Sequence, residues 1–123
     1  MAQSMNKEVD LATNATWFRT MPVYGKIMIG DEAYEFYNEK NVEDYVQIPW
    51  DQVTYVVADV HFNGKYIPRF EIRTKKDGKF IFATKDPKKT LRAIRKYVPA
   101  DHMRQALGVG GTIKLFFTRH KKK

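Results

Sequence analysis

The side chains that could do chemistry in this 123-residue chain are few and poorly grouped. There is no cysteine, which removes disulfides, thiolate nucleophiles and thiolate zinc ligands together and fits a reducing interior. Ser4 is the lone serine, so a nucleophile with its base has almost nothing to be built from. His61, His102 and His120 are scattered, with no histidine or carboxylate at metal-ligand spacing, and read as ordinary surface or core histidines. Glu43-Asp44 is a carboxylate pair, but adjacent loop residues point apart, so solvated loop charge is the better reading than acid and base work. Gly108-Val109-Gly110-Gly111 lacks the dinucleotide fingerprint and its βαβ setting, and reads as a hinge. The expectation is a protein without enzymatic activity, cofactor or metal.

Charge says more. The net charge of +8 hides a split: residues 1–60 hold 4 basic and 10 acidic side chains (−6), residues 61–123 hold 18 basic and 4 acidic (+14). Two readings stay open, an intramolecular match of acidic and basic surfaces or a basic surface reserved for phosphates, anionic lipid or an acidic partner. With 43% apolar residues the chain can build one modest core. The first ten residues hold no apolar run that could be a signal sequence, and no stretch approaches the ~18 apolar residues of a spanning helix. The expected location is the cytoplasm, with peripheral attachment at the inner face of the cell membrane as the membrane-linked version.

Positions of interest must be held by strands. From Tyr24 to Tyr37 the chain alternates: Tyr24, Lys26, Met28 and Gly30 share one face and Gly25, Ile27 and Ile29 the other, while Ala33, Glu35 and Tyr37 oppose Tyr34 and Phe36. Gly30-Asp31-Glu32 interrupts the run as a hairpin turn. A third strand ends at Pro49, which cannot donate to a central ladder. Val9–Phe18 reads as a first strand bent near Asn14, Gln52 to Phe62 as a long β-branched strand, and Asn63-Gly64 as a hairpin turn. Ile67 to Thr74 and Phe80 to Thr84 complete about seven strands, joined by a turn at Lys76-Asp77-Gly78-Lys79.

The period then changes. Asp86-Pro87 is a helix N-cap followed by proline in the first helical position. Thr90, Leu91, Ile94, Tyr97 and Val98 cover an arc of roughly 120°, with Lys88, Lys89, Arg92, Arg95 and Lys96 opposite. Pro99 ends this helix, and Ala100 to Leu107 are expected to add further helical turns. The fold class is therefore α+β, an antiparallel barrel or sandwich capped by a C-terminal amphipathic helix.

Seven strands and a capping helix resemble the pleckstrin-homology (PH) and GRAM-like superfold, and Ile48-Pro49-Trp50-Asp51-Gln52-Val53 and Lys76-Asp77-Gly78-Lys79-Phe80-Ile81-Phe82 look like strand and turn pieces of its bacterial members. Tyr24-Gly25-Lys26-Ile27-Met28-Ile29-Gly30, Ile67-Pro68-Arg69-Phe70 and Thr84 to Arg92 are similar to the Firmicute family called ManO, long labelled a domain of unknown function, over roughly residues 5 to 107. Members are encoded beside mannose-family phosphotransferase transporters and treated as their regulators, so the resemblance implies such a role. It supplies no catalytic or binding residues. The dense basic cluster that phosphoinositide-binding relatives carry near the first loop is absent here, where only Arg19 and Lys26 flank it.

Two features stand out as binding surfaces. One is the helix arc of Lys88, Lys89, Arg92, Arg95 and Lys96 with Lys85 adjacent, fit to meet an acidic protein, phosphates or anionic lipid, or simply to be solvated. The other is a tail beyond a single domain at 1–107. In residues 108–123, Ile113, Phe116 and Phe117 meet i, i+3, i+4 spacing ahead of Arg119, Lys121, Lys122 and Lys123, a pattern suited to a groove, a lipid interface or a latch on its own domain. The leading expectation is a regulatory adaptor docking on the mannose-family phosphotransferase transporter or adjacent anionic membrane. The alternative is a transcriptional or nucleic-acid-binding regulator, which has the charge for phosphates but no recognised binding motif. Exposed sheet edges leave a homo-oligomer open.

Overall fold

A computed structural model describes residues 3–106. The chain forms β1 (Val9–Phe18), β2 (Val23–Gly30), β3 (Ala33–Asn38) and β4 (Tyr45–Pro49) as one antiparallel meander. A 3-10 turn at Trp50–Gln52 leads into a second meander of β5 (Val53–His61), β6 (Tyr66–Thr74) and β7 (Lys79–Thr84). Helix α1 (Pro87–Arg95), a 3-10 turn at Ala100–His102 and β8 (Met103–Ala106) complete the described chain. All eight strands belong to one sheet in the order β4-β3-β2-β1-β7-β6-β5-β8.

This is α+β architecture, mostly sheet with one helix, but several expectations need correction. The described strands number eight rather than about seven. Neither is the helix C-terminal in the fold, because β8 follows it, and β8 lies parallel to β5, pairing Val56 with Met103 and Asp59 with Ala106, so the sheet is mixed. Residues 100–106 make one 3-10 turn and a strand instead of helical turns. Pro99 is extended (φ −57, ψ 146), and the open edge of β5 offers a row of backbone partners that outweighs a weak helical preference. The first strand is continuous through Asn14, its irregularity falling between Val9 and Leu11.

The core follows the alternation. Ile27, Ile29, Tyr34, Phe36, Val56, Phe70, Ile72 and Phe82 are buried on one face of the sheet, with Ile94 and Val98 from the helix region packed against them. Trp17 stacks on Phe82 at 6.3 Å across the β1–β7 seam and meets Phe36 of β3 edge-on at 5.7 Å. Helix α1 begins as its sequence requires: the Asp86 carboxylate accepts from Lys89 N–H at 3.2 Å, and Pro87 occupies the first turn.

Two clamps fix the ends. Near the helix C-terminus Tyr97 stacks on Trp50 (5.0 Å, 11° between planes), whose indole donates to Gly30 O at 2.8 Å. Tyr97 O–H also donates to Asp10, which Lys96 Nζ approaches at 3.2 Å. At the other end, residues 4–8 wrap over the β2–β3 turn. Asn6 Oδ1 accepts from Glu32 and Ala33 N–H at 2.8 Å each, and the fully buried Glu35 carboxylate accepts from Ser4 Oγ and Met5 N–H, both at 2.6 Å. Asn6 Nδ2 and Gln47 Nε2 complete its shell at 3.2 Å. Gly30 is required beneath this wrap, since a Cβ there would lie 2.2 Å from Glu8 O.

Candidate partner-binding groove

Helix α1 turns its apolar arc inward. Thr90, Ile94 and Val98 are buried and Leu91 and Tyr97 half-buried, while Lys85, Lys88, Lys89, Arg92, Arg95 and Lys96 are all exposed. The amphipathic reading of this segment therefore holds. Its cations divide into two groups. Lys96 is engaged by Asp10, and this pair links the basic and acidic halves of the chain, as the intramolecular reading of the charge split requires. Lys85, Lys88, Lys89, Arg92 and Arg95 have no ion-pair partner among the described residues, so most of the helix charge is not neutralised by them.

The helix packs chiefly on β1, β2, β6 and β7, and towards β5 and β8 it leaves the inner face of the sheet open. A hollow of about 330 Å³ results. Val56, Ala58, Val60, Ile67, Leu91 and Met103 give it an apolar lining, and Lys88 and Arg92 from α1 stand with Arg104 and Gln105 of β8 as its polar residues. The Arg104 guanidinium lies 5.6 Å from the Tyr55 ring centroid. None of the lining residues described is acidic. This size and composition are those of a ligand or side-chain pocket.

The hairpin beside it is unusual. Phe62 (φ 54), Asn63 (φ 56) and Gly64 (φ 89) are all left-handed, so the turn starts one residue before the Asn-Gly signal. A bulky residue in that region is strained, and Phe62 is also 73% exposed.

Electrostatics elsewhere are structural. Hydrogen bonds from Tyr97 and then Lys96 hold the Asp10 carboxyl below its usual range, and Asp10 in turn raises both partners. Asn38 and Arg19 lower Asp44, the backbone N–H of Glu8 lowers Asp31, and burial raises the Tyr34 phenol. Asp44 is thus a turn anchor for Asn38 and Arg19 rather than a freely solvated loop charge.

One of the scattered histidines has a carboxylate partner. His61 Nε2 lies 2.7 Å from the buried Asp59 carboxylate, and Arg69 Nε is 3.9 Å from its other oxygen. Residues two apart on a strand share a face, so the signal was present in the spacing. No group of three or more metal-ligating side chains occurs among the described residues. Nor is any described helix long and apolar enough to cross a membrane.

The structure thus brings Lys88 and Arg92 to the hollow. The tail candidates Ile113, Phe116, Phe117, Arg119, Lys121, Lys122 and Lys123 lie outside the described residues. The apolar lining from β5, β6 and β8 was not anticipated. Val56, Ala58 and Val60 carried a signal as an alternating run, but only β8 and the helix turn that run into a wall of a site.

A family model described as "Domain of unknown function (DUF956)" matches residues 1–117. No curated protein matches the chain. Among solved structures, the crystal structure of the C-terminal domain of an unknown protein from Leishmania infantum is similar, with a TM-score of 0.63 and 11% identity over 73% of this chain and 83% of that one. At that identity the likeness concerns the fold alone.

Proposed function

The chain belongs to the DUF956 family, a domain of unknown function, and from that membership and the surface described above we propose that it is a non-enzymatic regulatory adaptor. In this reading the fold is a member of the PH-like superfold and the family is the ManO type. The protein docks on the cytosolic face of a mannose-family phosphotransferase transporter, where the outward face of α1 meets acidic protein surface. The tail from Ile113 to Lys123 adds a second contact with the complex or the adjacent anionic membrane.

The observation that carries the reading is the helix charge. Lys89 and Arg95 of α1, with Lys85 just before it, are exposed and without ion-pair partners among the described residues, on an element whose other face is packed into the core. Such a rigid one-sign face raises association rates with an acidic partner.

The test is retention from membranes that contain the transporter, comparing the parent with Lys89→Glu/Arg95→Glu. Each cation lost is worth roughly fivefold in affinity if its contact is like that of an exposed pair, and reversal more. We expect loss of at least about twenty-five-fold in retention of transporter subunits. Equal retention by the variant would remove the docking face. Sequence-selective DNA binding that resists salt would replace the adaptor by the nucleic-acid reading, because non-specific phosphate contacts weaken steeply with salt.

A further inference from the structure

The hollow between α1 and the β5–β8 edge has a function of its own to suggest. Its lining is apolar along β5, β6 and β8 (Val56, Ala58, Val60, Ile67 and Met103), with Leu91 contributed by the helix. Lys88 and Arg92 are four apart on α1 and so emerge on the same side of it, flanking Leu91. Neither has an ion-pair partner among the described residues. At the Gly64 end a Cβ would meet nothing within 4 Å, so the hollow is open there.

We propose that this hollow binds a free single-chain anionic amphiphile, a fatty carboxylate, with its chain along the apolar lining and its head between Lys88 and Arg92. Three features select that chemistry. A sugar phosphate or nucleotide would bury hydroxyls and ring nitrogens against aliphatic side chains, with Gln105 the one uncharged polar side chain to receive them. A cationic or neutral amphiphile would leave Lys88 and Arg92, with Arg104 beside them, without a counter-charge. The volume suits one chain: 330 Å³ is about eleven volumes of roughly 30 Å³, the share of one water, enough for a chain of about ten carbons. The site goes beyond transporter docking and does not depend on it, since docking uses the outward residues Lys89 and Arg95.

The experiment uses the full chain labelled with 13C at its methionine methyls. Met103 reports on the hollow, and Met21 and Met28 serve as remote controls. Titration with decanoate below its micelle concentration is expected to shift Met103 saturably and to leave both controls in place. Each buried methylene adds about fourfold in affinity, so decanoate should bind at least about twentyfold tighter than hexanoate, allowing for the open side. Lys88→Gln and Arg92→Gln should each weaken decanoate by about fivefold. Gln105→Trp, at an exposed position that endangers no core packing, should block the shift. Lys89→Glu/Arg95→Glu should leave it unchanged, so a failure of docking and a failure of this site are told apart. The proposal is overturned if Met103 does not saturate, if chain length has no effect, or if decyltrimethylammonium binds as tightly as decanoate. It is equally overturned if Met103 responds to phosphatidylglycerol vesicles but not to decanoate.

Discussion

Replacing Glu35 by glutamine changes one atom of a fully buried side chain and should unpin the N-terminal segment. All four neighbours of the carboxylate present hydrogens to it: Ser4 Oγ and Asn6 Nδ2 on one oxygen, Met5 N–H and Gln47 Nε2 on the other. Ser4 can turn its hydroxyl, but the Asn6 amide cannot flip, because its Oδ1 already accepts from Glu32 and Ala33. Whichever way the introduced amide is placed, its N–H₂ faces either Asn6 Nδ2 or the Met5 backbone N–H. One hydrogen bond to a charged acceptor is lost, about 1.5–3 kcal/mol, and one donor is left unsatisfied, about 1–3 kcal/mol. Relief from burying a charge offsets part of this. The net expectation for Glu35→Gln is about 3 kcal/mol, or a fall in melting temperature of more than about 10 °C for a domain of this size. Thermal melting gives the magnitude and hydrogen exchange the location, with Met5 N–H losing protection before the core strands do. A melting temperature within about 2 °C of the parent, with Met5 still protected, would refute the reasoning.

Trp50→Phe removes the 2.8 Å bond to Gly30 O while keeping an aromatic surface for Tyr97, and should cost about 1 kcal/mol in urea unfolding. Trp50→Ala also loses the stack and the packing of a half-buried ring, and should cost about 3 kcal/mol in the same assay. The Asp10 cluster makes stability depend on pH at both ends. Asp10 is lowered, so its contribution is present above the ordinary carboxylate pKa of about 3.9 and lost as pH falls through the lowered value. Lys96 and Tyr97 are raised, so theirs is present below about 10 and lost as pH climbs through their raised values. Asp10→Asn should therefore lower the melting temperature at pH 7, with the difference from the parent shrinking at both extremes.

Much of the sheet could be read from alternation alone. Ile27, Ile29, Tyr34 and Phe36 face the core as their spacing requires, and Asp86 caps α1 through the side chain expected of it. Local patterns fail where a distant segment decides. Glu35 belongs by alternation to the face opposite Phe36, yet it is buried because residues 29–31 positions earlier fold over it. Strand β8 is four residues long and takes its partner 47 positions upstream at Val56, so no periodicity within 100–107 could reveal it. The hollow inherits both difficulties. Lys88 and Arg92 were legible on the helix, whereas the apolar wall they stand beside is assembled from three strands that only the topology brings together.

The seam between the two meanders has a consequence for how the chain is made. Strand β1 pairs with β7 from Ala15 opposite Thr84 to Phe18 opposite Ile81, partners separated by 63 to 69 positions. Hairpins within each meander can close early, but this junction waits on a long loop, so its closure should set the refolding rate. During synthesis at roughly 5–20 residues per second, the flank of β1 that carries Trp17 stays unpaired for about 3–14 s until β7 has been translated. For that interval the newborn protein offers an open strand to other chains, and rapid expression should favour inclusion bodies over soluble product.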